Sequence, residues 1–304
     1  MAQACADELA ALAARSRPGA ARGAAGTRTA ANAAGRSARV EIADDIEAVQ
    51  RLFRSRRWGD GLPVIPPTPE RVQRMLARNA LSPETLVGAL APGFGAATLE
   101  AIAVNAVAAG CDPELLPLVV AAIKGAAAPE FNLQAIQATT NSVAVWVIVN
   151  GPGANRLGFN AGINCLGQGS WANATLGRAV HLVLQNVGGA APGEMDRATH
   201  GQPGKYTFCC AENEAESPWQ ALHVERGFRA EATTVTVVGA EGTMNMNTHT
   251  KDADQLLRAF AETMMHPPSN EYTHGGEPWL IVSPEHADIL KRAGLSKADV
   301  RREL

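Results

Sequence analysis

A single apolar run, Val143 to Val149, limits what this chain can fold into more than any other feature. It is rich in β-branched residues and has no polar interruption, the pattern of a strand covered on both faces. It stops at Asn150-Gly151-Pro152-Gly153, a turn. After a polar, glycine-rich loop, residues Ala172 to Val187 place Leu176, Val180, Val183, Leu184 and Val187 on one side of a helix closed by Gly188-Gly189. Strand, loop and helix in that order predict an α/β fold, a mixed or parallel sheet flanked by helices with long polar loops.

The rest of the chain supports the same class. Ile46, Val49, Leu52 and Phe53 recur at helical spacing behind Asp44 and Asp45. Leu62-Pro63-Val64-Ile65-Pro66-Pro67 must be extended, because proline fixes its own φ and restricts the residue before it. Helices are expected over 98–109, from Asp112 onward, and over 252–265, 285–293 and 296–302, with further strands at 233–238 and 279–282. Residues 41–304 thus read as one large α/β domain. Residues 1–40 differ: alanine dominates, six arginines face only Asp7 and Glu8, and the segment is expected to be a disordered tail.

Composition excludes several partners. With 27 basic and 30 acidic side chains the formal charge is -3, so no positive field is available to hold a nucleic-acid backbone. The longest apolar run is far shorter than the roughly 20 residues of a membrane-spanning helix. Five cysteines form no C-x-x-C pair and no dense framework, which favours a reducing, cytoplasmic setting. The sequence is compatible with a homo-oligomer, and no motif names a cofactor or a metal.

Two polar regions hold the candidate chemistry. The first, Gly151 to Arg178, carries seven glycines. Asn155, Asn164, Asn173 and Arg178 within it, and Asn150 immediately before it, are the candidate ligands for a small anion, with Gly167-Gln168-Gly169 feeding a helix start. It has neither the Gly-Lys-Ser/Thr of a P-loop nor a G-x-G-x-x-G fingerprint, and the same residues would equally serve Asx turns. The second, Pro192 to Phe228, is long and irregular, and such stretches are usually functional or disordered. Here Cys209 is the candidate nucleophile, with His200, His223 and Glu212 as acid–base partners and Lys205 as a substrate-binding cation. The alternative is a short strand, Tyr206 to Cys210, that sends its two thiols to opposite faces. His200, His223 and His249 could instead hold a divalent metal, although no H-x-x-x-H spacing organises them. His181 reads as a packing or surface residue.

The stretch Trp58-Gly59-Asp60-Gly61-Leu62-Pro63-Val64-Ile65-Pro66-Pro67-Thr68 resembles the opening motif of a largely uncharacterised bacterial family associated with UGSC-type (seleno)proteins. Ala109-Gly110-Cys111, Ala172-Asn173-Ala174-Thr175 and His200-Gly201-Gln202-Pro203-Gly204-Lys205-Tyr206 look like further family motifs, so the resemblance runs from about residue 42 onward. It implies thiol- or selenol-linked oxidoreductase chemistry, with a UGSC-type protein as partner, and carries over no catalytic residue. Three functions therefore stand side by side: a thiol-linked oxidoreductase for a small anionic substrate, a metal-assisted lyase or hydrolase, and a non-catalytic ligand-binding subunit.

Overall fold

The computed structural model describes residues 37–265 and 276–304. Most of the expected tail, residues 1–36, and both His266 and His274 lie outside the described residues. The remainder, expected as one domain, divides into two compact units: residues up to Ala211 with Thr233–Gly242, and Glu212–Ala232 with Thr243–Leu304.

The first unit is α/β. Helix α1, Ile46–Arg56, begins where the Asp45 carboxylate accepts the backbone N–H groups of Glu47 and Ala48. Helix α2, Pro69–Leu76, is capped by Thr68 with proline in its first turn. A hairpin follows, β1 Leu86–Leu90 paired antiparallel with β2 Gly95–Thr98. Sequence periodicity gives no sign of it, because its strands are largely glycine, alanine and leucine rather than β-branched residues. Helices α3, Leu99–Ala109, and α4, Leu116–Ala126, come next, then the short α5, Leu133–Ala138.

Strand β3, Ala144–Asn150, is buried along its whole length, as an uninterrupted apolar run requires. It is the centre of a three-stranded mixed sheet, parallel to β4, Cys209–Ala211, and antiparallel to β5, Thr234–Ala240. A short turn of helix, α6 Pro152–Arg156, follows β3, and the long α7, Trp171–Asn186, packs against α3 and the sheet. Val145, Val147, Val149 and Cys209 join Leu176, Val180 and Val183 of α7 in one core. Gly177 makes the approach of α7 to β4 feasible: a Cβ there would lie 2.4 Å from Thr207 Oγ1 and 2.8 Å from the Phe208 backbone nitrogen.

The second unit is helical. Helix α8, Leu222–Glu225, is a single turn, followed by α9, Ala253–Met264, α10, Pro284–Arg292, and α11, Lys297–Glu303. Leu256, Phe260, Ile289, Leu290 and Val300 form its core. Residues 279–282, expected as a strand, pair with no strand, since Pro278 and Pro284 flank the segment and Leu280 is drawn instead against the helical core. Among the described residues no helix is long and apolar enough to cross a membrane.

Candidate functional site

A cleft of about 770 Å³ opens in the first unit. Its walls come from two of the sequence motifs, which lie far apart in the chain. Gly59, Asp60, Gly61 and Leu62 form one side, and the turn from His200 to Tyr206 forms another, with residues of α1 and α7 between them.

Helix α7 fixes the first wall through a polar stripe on an otherwise apolar helix. Arg178 Nε and Nη2 donate to the two carboxylate oxygens of Asp60 at 2.7 and 2.9 Å, and Nη2 also donates to the carbonyls of Leu62 and Pro63. Two turns on, Gln185 Nε2 donates to the carbonyls of Arg57 and Gly59, and Asn186 Nδ2 to that of Trp58. The stretch Trp58 to Pro63 is thus held by side chains rather than by a sheet. Arg178, expected to bind an anion, is instead committed to Asp60 and two carbonyls, with its side chain 14% and that of Asp60 9% exposed.

The second wall is anchored by Gln202, whose Nε2 donates to the carbonyls of Ser142 and Ala240 at one end of the β3–β5 pair, where Ala144 lies opposite Ala240. Gly204 has no room for a side chain, since a Cβ there would meet Gln202 Oε1 and Phe208 Cδ1 at 2.8 Å. Within the turn Lys205 Nζ lies 2.6 Å from Asp196 Oδ2, an ion pair screened from solvent more than most. His200 lines the cleft and is exposed.

Between these walls sits His181, the residue that sequence reasoning set aside. Its Nε2 is 3.1 Å from the Val145 carbonyl. A carbonyl only accepts, so Nε2 carries the proton and Nδ1 is the ring's acceptor. Burial pushes its pKa down to about 4, reinforced by the positive charge of Lys205 and opposed by the Val145 hydrogen bond, Asp60 and Asp196. The imidazole is therefore neutral at physiological pH. The signal was available in the sequence: Arg178, His181 and Gln185 recur at three- and four-residue spacing, a polar stripe on a helix that otherwise belongs to the core.

The remaining expected site residues have other work. Asn173 uses its full capacity: Nδ2 donates to the carbonyls of Asn160 and Cys165, while Oδ1 accepts from the Asn160 N–H and Ser170 Oγ. Asn164, at φ 59°, closes a turn through Nδ2 to the Gln168 carbonyl. Asn150 is buried at the end of β3, and Asn155 is exposed on α6. The Gly151 to Arg178 loop is thus pinned by its asparagines, as the Asx-turn alternative has it.

The four proposed catalytic residues divide between the units. Cys209 faces the α-helical core of the first unit, where burial pushes its thiol pKa well up, so it is not a ready thiolate. In the second unit Glu212 Oε2 accepts the Leu222 N–H at 2.7 Å, and buried His223 has Nδ1 3.5 Å from Glu214 and Nε2 3.3 Å from the Ala230 carbonyl. Both are used to order the loop that carries them. Among the described residues no group of three or more His, Cys, Asp and Glu side chains is placed to hold a metal ion. No family model, no curated protein and no solved structure matches this chain.

Proposed function

We propose that the protein is an enzyme that takes a small anionic molecule into this cleft, with Lys205 as the charge that receives it in exchange for its Asp196 partner and His181 as the acid–base group. The observation that carries the reading is His181: a neutral imidazole with a depressed pKa in the wall of a polar cleft, electrostatically coupled to Lys205, Asp196 and Asp60. A titratable group in a cleft whose pKa is perturbed by burial together with named charge partners is a functional-site candidate. A lone-pair nitrogen beside an ammonium group can take a proton from a bound substrate while the cation holds the charge that develops. Oxidoreduction at the cleft would draw its electrons from a partner thiol or selenol, such as the UGSC-type protein the resemblance implies, because the Cys209 thiol is enclosed in the core.

A thermal-shift screen of small carboxylates and phosphates against the full chain tests the reading. A stabilising compound is expected, and Lys205→Met should weaken its binding by about tenfold to a hundredfold, the loss of one charge-assisted hydrogen bond worth roughly 1.5–3 kcal/mol. Equal affinity in the variant would remove Lys205 from the site.

A further inference from the structure

The cleft holds more positive charge than Lys205 alone. Helix α1 and its C-cap line one side of it with Gln50, Phe53, Arg54 and Arg57, spaced three and four residues apart as the side chains of one helix face are. That face is fixed in place. The Gln50 amide donates to the Val64 carbonyl at 2.8 Å and accepts the Val64 N–H at 3.1 Å, and the Phe53 ring meets Trp58 edge-on with 5.8 Å between centroids.

Among the arginines of α1 and its cap, Arg54 stands apart. Arg51 pairs with Asp45 and Glu47, and Arg56 lies over the Trp58 ring, 6.0 Å from its centroid. Arg57 pairs with Glu194 and donates to the Pro192 carbonyl at 2.7 Å. The Arg54 guanidinium lines the cleft and forms no hydrogen bond or ion pair with any described residue. The two carboxylates of the cleft wall are spent elsewhere, Asp60 on the two-pronged contact with Arg178 and Asp196 on Lys205. Arg54 thus keeps its charge and its planar fork of donors for a carboxylate or phosphate from outside the chain.

We infer that the molecule this cleft takes carries two separate anionic groups, one received by Lys205 and the second by Arg54. The inference rests on the cleft receiving an anion at Lys205 and adds its class: a small dicarboxylate, or a carboxylic acid that also carries a phosphate. The two contacts differ in what they gain. At Lys205 the incoming group replaces the Asp196 carboxylate, so one ion pair is exchanged for another. At Arg54 it replaces only water, and a two-pronged, charge-assisted contact is added outright. The second anionic group therefore supplies most of the selectivity. Holding the molecule at two points also fixes its orientation relative to His181, which lines the same cleft.

The test is titration calorimetry of the full chain at one fixed ionic strength, with succinate, glutarate, adipate and 2-phosphoglycolate set against butyrate, pentanoate and hexanoate. The tightest dianion is expected to bind at least about tenfold more tightly than any monoanion, a comparison that needs no variant. Whether a dicarboxylate or 2-phosphoglycolate leads identifies the second group. Arg54→Gln should bring the best dianion to within about twofold of the monoanions while leaving monoanion affinity in place, and Arg54→Lys should restore part of the preference. Lys205→Met should weaken both sets. Equal affinity for the two sets in the wild type, with Lys205→Met weakening each, would overturn the inference and leave the Lys205 reading standing. A dianion preference that survives Arg54→Gln would overturn it too, and binding of neither set would overturn both.

Discussion

Arg178→Ala is expected to destabilise the first unit by about 3–5 kcal/mol, the cost of leaving one partner of a shielded ion pair without its charge. The pair qualifies because both side chains are largely enclosed and the contact is two-pronged, whereas exposed pairs are worth little. The variant also abandons the carbonyls of Leu62 and Pro63, which belong to a segment without sheet partners. For a domain of this size the fall in melting temperature should be on the order of 10 °C. Asp60→Ala should cost a similar amount, and the double variant less than the sum of the two, because one charge no longer strands the other. Wild-type melting in Arg178→Ala together with lost anion binding would return Arg178 to the substrate-binding role that its loop first suggested.

The second large effect concerns His181. His181→Gln keeps a polar side chain of similar reach toward the Val145 carbonyl but has no titratable nitrogen, so turnover should fall by about 10²–10⁴-fold with the fold retained. The pH dependence has a definite sign. The folded pKa of about 4 lies below the ordinary 6.5, so as pH falls through about 6.5 the unfolded chain takes up a proton that the folded chain does not. Stability is therefore lost between about pH 6.5 and pH 4, at a slope of up to about 1.4 kcal/mol per pH unit from this group. His181→Gln should flatten that part of the profile, measured by urea unfolding at a series of pH values. In wild-type turnover the acidic limb that reports the base should fall near pH 4, and a limb near 6.5 would assign the proton transfer to a different group.

The sequence shows the fold class more fully than the site. Strand β3 and helix α7 were legible because each carries an unbroken period, two-sided burial in one and a heptad-like stripe in the other. The β1–β2 hairpin was not, since glycine and alanine strands lack the pattern that burial normally imprints. The side chains of Asn164 and Asn173 read equally as ligands or turn formers until their hydrogen bonds were placed. Asp60 and Arg178 lie 118 residues apart, and no local pattern announces a partner at that distance.

In the proposed function, the cleft between the Trp58 to Pro63 segment and the His200 to Tyr206 turn receives the substrate. Crystals of the full chain soaked with an anionic compound that stabilises it in solution test this most directly. Density is expected in the cleft, with the anionic group within hydrogen-bond distance of Lys205 Nζ and the reacting portion beside His181. Density at a different surface, with the cleft empty at a saturating concentration of the same compound, would contradict it.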